Sequence, residues 1–288
     1  MMATESSARR PLSDAGAKRH RVLERGGIRW QIQSEGSGPA LLLLHGTGAS
    51  SDSFDALMPL LAQRFTVIAP DLPGHAGSTA PPTFEPSLPA TAAALGELLA
   101  ALDVVPAVAV GHSAGAALVV RMTLDGIIAP ELLVGIGAAM VPLRGVARAV
   151  LPKTARLLAF TSKLVPLRIR TADSVQRLLW STGSTLDPSG VERYRALSER
   201  PTHVAAVLEM MASWDLEPLF DDLPRLRTPL LLLAGARDRA VPLRHQQAVA
   251  DRAPGARVTV VPGAGHLLHE ELPFAVAALI LEATQKST

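Results

Sequence analysis

Residues 107–124 read AVAVGHSAGAALVVRMTL, and this stretch decides the fold. Its first four residues are apolar and predict a buried strand, whereas the alanine-rich run after Ser113 predicts a helix. The turn between them, Gly111-His112-Ser113-Ala114-Gly115, has the G-x-S-x-G pattern of a sharp strand-to-helix turn. Such a turn lifts the serine hydroxyl above the sheet. We therefore predict that Ser113 is a nucleophile; the alternative is an ordinary serine in a tight turn.

The same alternation of apolar strands and helices continues along the chain. Predicted strands lie at 28–33, 40–44, 65–69, 107–110, 132–136, 230–233 and 257–261, and predicted helices at 53–62, 88–102, 114–124, 243–253 and 273–282. This order predicts an α/β fold with a mostly parallel sheet flanked by helices.

The interval between the strands at 132–136 and 230–233 is too long for an ordinary connection and has helical periodicity. We predict an inserted helical cap at 138–225, a core formed by 25–137 and 226–288, and a flexible basic tail at 1–24.

Composition excludes several classes of protein. The chain has 288 residues, 48% hydrophobic and 19% charged, so it can bury a core and is not disordered throughout. Its formal net charge of +2 is too small for a nucleic-acid partner. Because the sequence contains no cysteine, covalent catalysis requires another nucleophile.

No segment predicts export or a membrane span. The basic residues near the start of the sequence are not followed by the apolar core of a signal peptide. The most apolar stretch, 104–120, is interrupted by Pro106 and by the Gly111-His112-Ser113 turn. We therefore expect a cytoplasmic protein.

A serine hydroxyl needs a base to remove its proton, so Ser113 predicts an acid and a histidine later in the chain, in that order. Asp238 follows the predicted strand at 230–233, and His266 ends the glycine-rich loop Pro262-Gly263-Ala264-Gly265-His266. We predict that Ser113, Asp238 and His266 form a catalytic triad in which Asp238 orients His266.

Two alternatives to this assignment remain open. Asp238 could be a solvated loop residue paired with Arg237 or Arg239. His269 could be the base, although with the two glutamates that follow it His269 resembles the polar start of the last helix.

Acyl transfer also needs two backbone donors for the oxyanion. Ala114 follows the nucleophile, and Thr47 lies in the glycine-rich loop Leu44-His45-Gly46-Thr47-Gly48. We predict that Thr47 and Ala114 form the oxyanion hole; a plain turn is the alternative for the Thr47 loop. His45 and His112 are predicted to shape the pocket.

The sequence lacks the motifs of metal-dependent and nucleotide-dependent chemistry. Asp71 and His75 precede the serine, so they do not fit the chain order and are predicted to be structural. No histidine pair has metal-site spacing, and neither a P-loop nor a dinucleotide fingerprint is present. We expect no metal and no cofactor.

Two features of the predicted cap concern ligands. One feature is the apolar set Met210, Met211 and Trp214. These side chains either pack against neighbouring helices or cover an apolar pocket above Ser113, and the two interpretations are compatible. Residues 144–170 contain seven basic residues and no acid. This basic segment is a solvated surface, a membrane contact, or an attractor of acidic ligands.

Five motifs together carry a family resemblance. They are His45-Gly46-Thr47-Gly48-Ala49-Ser50, Asp71-Leu72-Pro73-Gly74-His75, Gly111-His112-Ser113-Ala114-Gly115-Ala116-Ala117, Val141-Pro142-Leu143-Arg144-Gly145 and Met210-Met211-Ala212-Ser213-Trp214-Asp215-Leu216. The chain resembles the magnesium-chelatase accessory proteins of bacteriochlorophyll biosynthesis, which have the α/β-hydrolase fold. One departure is Ala76, where many relatives of this fold have glycine.

The resemblance implies a role near magnesium insertion into protoporphyrin IX, with a tetrapyrrole as the small-molecule substrate and the magnesium chelatase subunits as partners. Three hypotheses follow: a serine hydrolase of tetrapyrrole metabolism, a general esterase or carbon-carbon bond hydrolase, and a non-catalytic protein that binds porphyrin or the chelatase.

Overall fold

The computed structural model describes residues 18–142 and 172–286. Eight strands form one sheet: β1 (Arg19–Arg25), β2 (Ile28–Glu35), β3 (Ala40–Leu44), β4 (Thr66–Pro70), β5 (Pro106–His112), β6 (Leu132–Ile136), β7 (Leu230–Gly235) and β8 (Ala256–Val261). Their spatial order is β1-β2-β4-β3-β5-β6-β7-β8. The pairs β1–β2 and β2–β4 are antiparallel and the other pairs are parallel. The predicted α/β architecture is confirmed.

The described helices are α1 (Met58–Leu61), α2 (Leu88–Leu102), α3 (Ala114–Leu124), α4 (Ala172–Ser181), α5 (Pro188–Ser198), α6 (Pro201–Ser213), α7 (Glu217–Asp222), α8 (Leu243–Ala250), α9 (Leu268–Glu271) and α10 (Pro273–Lys286). Short 3-10 turns lie at Ser51–Phe54 and Leu223–Arg225. Side chains of α2 and α3 pack on one face of the sheet, and those of α1 and α10 pack on the other. The strands β6 and β7 are buried along their whole length because both faces are covered.

Two predicted elements are wrong. The helix expected at 53–62 is a 3-10 turn followed by the short α1, because Pro59 lacks an N–H and its ring excludes a helical turn before it. The flexible tail expected at 1–24 extends too far, since Arg19–Arg25 forms β1. Gly26 and Gly27, with φ of 61° and 74°, make the two-residue turn that pairs β1 with β2.

The described residues between β6 and β7 form α4 to α7, which we call the inserted helices. The division into a core and a cap at 138–225 stays a prediction. The basic segment at 144–170 lies outside the described residues.

Five histidines are almost completely buried at the carboxyl end of the sheet and around it. Burial lowers the pKa of His45 to about 4 and that of His75, His203 and His269 to about 3, and it lowers the pKa of His112 well below the usual value. Ring contacts link His75 with His45 and His203, and His112 with His269. These rings therefore stay neutral in the folded protein at ordinary pH.

The close packing of α3 on β3 gives a first prediction. A β-carbon on Gly115 would lie 2.1 Å from the carbonyl oxygen of Leu44. Alanine is favoured over glycine in a helix by about 1 kcal/mol, but this backbone clash outweighs that gain. We expect Gly115→Ala to lower the free energy of unfolding by about 3 kcal/mol in urea titrations.

Gly126→Ala is the matched control, because Gly126 has a φ of 71° and open space around its α-carbon. Only backbone strain of about 1 kcal/mol is expected there. Equal stability losses in the two variants would contradict the packing argument.

The buried histidines give a second prediction. Their folded pKa values lie below the unfolded value near 6.5, so the unfolded chain binds more protons at acid pH. Their contribution to stability is complete above about pH 6.5 and falls by about 1.4 kcal/mol per pH unit and per ring below it. The raised pKa values of Asp71 and Glu270, both caused mainly by burial, act in the opposite direction but are fewer.

His269→Leu should therefore flatten the loss of stability between about pH 6.5 and about pH 5, measured by urea unfolding at several pH values. His20→Leu is the control, because His20 is exposed on β1 and its replacement should leave the slope unchanged. An unchanged slope in His269→Leu would show that folding does not lower the pKa of His269.

Candidate active site

Ser113 occupies a sharp turn between β5 and α3. Its φ of 51° and ψ of −113° are unusual for a residue with a side chain. A β-carbon on Gly111 would lie 2.2 Å from the carbonyl carbon of Gly115, so the turn needs glycine there. The N–H of Ser113 donates to the carbonyl oxygen of Ile136 at 2.8 Å, which ties the turn to the end of β6.

Asp238 and His266 form a buried pair. The Nδ1 of His266 lies 2.9 Å from Oδ2 of Asp238, and their side chains are 10% and 1% exposed. The Oδ1 of Asp238 accepts the backbone N–H groups of Ala240 and Val241 at 2.9 and 2.8 Å. Because Nδ1–H donates a hydrogen bond to the carboxylate, Nε2 of His266 is the nitrogen left to act as a base.

Neither alternative arginine partner of Asp238 is used in the described structure. Asp238 forms its ion pair with His266 and none with the described Arg237 or Arg239. Arg237 instead lies 3.5 Å from a carboxylate oxygen of Glu271. The geometry therefore matches the arrangement expected of an orienting acid.

Ser113 and His266 flank the same strand end. A β-carbon on Gly137, the residue after β6, would lie 3.0 Å from Nδ1 of His266 and 3.3 Å from Oδ2 of Asp238. Ser113 is bonded to the residue before Gly137. Among the described residues, no side-chain hydrogen bond joins Ser113 to His266; such bonds often form only with substrate in place.

His269 does not have the environment expected of a polar helix start. It lies in α9, is fully buried, and contacts the rings of Phe54 and His112. Neither of its ring nitrogens has a partner among the described residues. Glu270, the next residue, accepts hydrogen bonds from the Tyr194 hydroxyl and from Arg193 of α5.

The predicted oxyanion donors lie beside Ser113. Thr47 and Ala114 line the same cavity as the serine. The Thr47 loop is held by His45, whose Nδ1 donates to the carbonyl oxygen of Gly46 at 2.9 Å and whose Nε2 accepts the N–H of Leu72 at 2.9 Å. His45 therefore fixes the position of the Thr47 loop.

His112 packs between the other histidines. Its ring lies 4.8 Å from that of His266, and its Nε2 is 3.2 Å from the carbonyl oxygen of His266. Since a carbonyl oxygen can only accept, Nε2 of His112 donates. His45 and His112 thus support the loops and do not line the cavity.

The cavity above Ser113 has a volume of about 270 Å³. Its described lining is mainly apolar and consists of Thr47, Ser113, Ala114, Ala139, Pro142, Met210, Met211, Trp214, Asp215 and Leu216. Met210 is buried, whereas Met211 is 52% exposed. The indole Nε1 of Trp214 donates to the carbonyl oxygen of Pro86 at 2.9 Å, which fixes the ring at the cavity.

Several supporting residues have no signal in the sequence. His203 of α6 accepts the N–H of Ala76 at Nδ1 and donates to the carbonyl oxygen of Gly48 at 3.3 Å. Ala76 itself has a φ of 44°, a conformation that glycine adopts more easily. Only the fold brings His203 close to these loops.

Asp71 organises two loops near the site. Its Oδ1 accepts from the backbone and hydroxyl of Ser51 at 2.8 Å, and its Oδ2 accepts from the N–H of Gly77 at 2.9 Å. These bonds agree with a structural role. Within residues 18–142 and 172–286, no group of histidine and carboxylate side chains is arranged to hold a metal. In the same ranges, no helix is long and apolar enough to cross a membrane.

Comparison with known proteins identifies the family. The alpha/beta hydrolase family matches residues 41–279. The magnesium-chelatase 30 kDa subunit of Rhodobacter capsulatus is 41% identical over 93% of this chain and 94% of its own length. A pimeloyl-[acyl-carrier protein] methyl ester esterase of Xylella fastidiosa is 32% identical over 82% of this chain and 91% of its own.

A solved structure is also similar. The thermophilic esterase from Thermogutta terrifontis has a TM-score of 0.76 and 25% identity, and the alignment covers 94% of this chain and 99% of the esterase. These matches confirm the resemblance found in the sequence. The chain belongs to the alpha/beta hydrolase family and is a homologue of the magnesium-chelatase 30 kDa subunit.

Proposed function

We propose that this chain is a serine hydrolase that cleaves an ester or related acyl bond through Ser113, His266 and Asp238, and that it acts around magnesium insertion into protoporphyrin IX. One observation carries the proposal: the buried 2.9 Å pair of His266 and Asp238 lies at the strand end that also binds the Ser113 turn. An apolar cavity opens directly above that serine.

The proposed reaction has two halves. The Oγ of Ser113 attacks the acyl carbon while Nε2 of His266 takes its proton, and the N–H groups of Thr47 and Ala114 hold the oxyanion. His266 then protonates the leaving alcohol, and an acyl-serine remains. Water attacks this ester with His266 again as base, which releases the acid and restores Ser113. Throughout, Asp238 stabilises the imidazolium at Nδ1.

The cavity favours an uncharged, apolar group next to the reacting bond. Its volume of about 270 Å³ is near the lower end of ligand pockets, and no cation is among its described lining residues. A substituted tetrapyrrole is larger than the volume enclosed by these described residues. We propose that an arm of the macrocycle enters the cavity while the rings lie outside against Met211, whose side chain is half exposed.

The relatives support different parts of the proposal. A homologue named as a methyl ester esterase supports ester hydrolysis. A homologue named as a magnesium-chelatase subunit supports a tetrapyrrole substrate and association with chelatase subunits, and it equally favours the second candidate, a non-catalytic chelatase-binding protein. A cytoplasmic location and membrane contact through residues 144–170 stay predictions from the sequence.

Hydrolysis of p-nitrophenyl butyrate tests the chemistry. We expect Ser113→Ala to lose turnover to the background rate, because the variant lacks the hydroxyl proposed to attack the acyl carbon. His266→Gln should cost about as much, since members of a triad act as a unit, and Asp238→Asn somewhat less.

His20→Gln is the matched control for His266→Gln, since His20 is exposed on β1 and should retain full activity. Circular dichroism of each variant confirms folding. Wild-type activity in Ser113→Ala would remove Ser113 from the mechanism, and inactivity of the wild type on a panel of short esters would favour the non-catalytic candidate.

Titration of protoporphyrin IX, followed by tryptophan fluorescence and by porphyrin absorbance, tests the tetrapyrrole assignment. We expect Met211→Ala to weaken binding about fivefold to tenfold, because truncation removes apolar contact area from the face where the rings lie. Phe274→Ala is the matched control, because Phe274 is 76% exposed on α10 and lies outside the cavity. Equal binding by the wild type and both variants would show that the tetrapyrrole does not bind at the cavity mouth.

A further inference from the structure

A turn of the inserted helices packs directly on the loops that carry the acid and the base. Residues 182–185, Thr-Gly-Ser-Thr, connect α4 to α5. A β-carbon on Gly183 would lie 1.9 Å from the carbonyl oxygen of Arg237, and one on Gly265 would lie 2.3 Å from the carbonyl carbon of Gly183. Glycines on both sides thus allow the backbones to touch.

Hydrogen bonds connect this turn to the residue after Asp238 and to the residue after His266. The N–H of Arg239 donates to the carbonyl oxygen of Thr182 at 3.0 Å. The N–H of Leu267 donates to Oγ of Ser184 at 2.8 Å. Ser184 is fully buried, so water cannot replace its hydroxyl as the acceptor.

Glu271 of α9 completes the attachment on the other side of His266. Its Oε2 accepts the N–H of Gly265 at 2.7 Å, and its Oε1 accepts the N–H of Thr185 at 3.0 Å. The carboxylate is 6% exposed. The backbone is therefore bonded immediately before and immediately after His266, and both attachments lead to residues 182–185.

We propose that Ser184 is a positioning residue for His266, and that residues 182–185 hold the acid loop and the base loop at a fixed separation. The proposal rests on the proposed function. A single imidazole has to meet Asp238 at Nδ1 and the Ser113 hydroxyl at Nε2, and the two loops that determine its place follow different strands, β7 and β8. The inserted helices are thereby part of the catalytic apparatus and do more than cover the cavity.

The test compares three serine variants. Ser184→Ala removes the acceptor of the Leu267 N–H, Ser184→Thr keeps a hydroxyl at the same place, and Ser181→Ala removes an exposed hydroxyl from the end of α4 as the matched control. Glu271→Gln weakens the second attachment without altering Ser184 and is a fourth variant.

Two readouts separate positioning from stability. The first is kcat against KM for p-nitrophenyl butyrate, with thermal unfolding of each variant. The second is the low-field NMR signal of the His266 Nδ1 proton, assigned by its loss in His266→Gln; this signal reports the bond to Asp238 and needs no turnover.

We expect Ser184→Ala to lower kcat about tenfold with KM within about twofold, and to shift or broaden the His266 proton signal. Ser184→Thr should restore both, Glu271→Gln should change both in the same direction, and Ser181→Ala should match the wild type. A Ser184→Ala protein that is less stable but has the wild-type kcat and the wild-type proton signal overturns the proposal.

The outcome also distinguishes this proposal from the proposed hydrolysis. If the wild type cleaves no ester but the His266 signal moves in Ser184→Ala, the positioning role stands and the hydrolase assignment fails. If the wild type is active and Ser184→Ala is equally active with an unchanged signal, the hydrolase assignment stands and the positioning role fails.

Discussion

The backbone of Ser113 is the constraint on which the rest of the site depends. A φ of 51° at a residue with a side chain costs about 1 to 3 kcal/mol and persists only where the surroundings impose it. Here Ser113 lies directly between the end of β5 and the start of α3. Glycines at 111 and 115 allow the backbone on either side of the turn to pack closely. The hydrogen bond from the Ser113 N–H to the carbonyl oxygen of Ile136 then fixes the position of the turn relative to β6.

Around that turn, the inserted helices support three separate loops. His203 of α6 bonds to Gly48, beside Thr47, and residues 182–185 bond to the neighbours of Asp238 and His266. Met210 of α6 reaches the cavity and receives a weak hydrogen bond from the Thr47 hydroxyl at 3.9 Å. A displacement of these helices would therefore move the Thr47 loop and the neighbours of Asp238 and His266 together. Helices that carry none of the predicted triad residues are thus linked to all three loops.

The buried imidazoles contribute to the same arrangement. Charged rings at these distances would repel one another and would lose their hydration, so the cluster is compatible only with neutral histidines. His45, next to the Thr47 loop, and His112, next to His266, each donate one ring N–H to a backbone carbonyl. Neutral histidine can donate from one nitrogen and accept at the other, which suits it to joining loops that no regular element connects.

Much of the fold and the core of the site could be predicted because they depend on local patterns. The apolar run of β5, the turn at Ser113 and the helix at 114–124 are each visible within a few residues, and the expected chain order then indicates Asp238 and His266. The strand Arg19–Arg25 was not predicted because it is rich in charged residues, which edge strands tolerate. The two glycines of its turn are too short a pattern to predict a hairpin by themselves. Ser184, Glu271 and His203 could not be found from the sequence, because each acts through side-chain hydrogen bonds to residues at least six positions away. The burial of His269 against the rings of Phe54 and His112 likewise depends on residues that are distant in the sequence.

The central claim, that Ser113 is an activated nucleophile, is tested most directly by mapping the site of covalent modification. The folded wild-type protein is treated with a fluorophosphonate, digested, and sequenced by tandem mass spectrometry. The account predicts one stoichiometric adduct on the peptide that contains Gly111-His112-Ser113-Ala114-Gly115, with the mass increment on Ser113, and a much slower reaction when His266 is replaced by glutamine. An adduct on another residue, or no adduct while the protein remains folded, would contradict it.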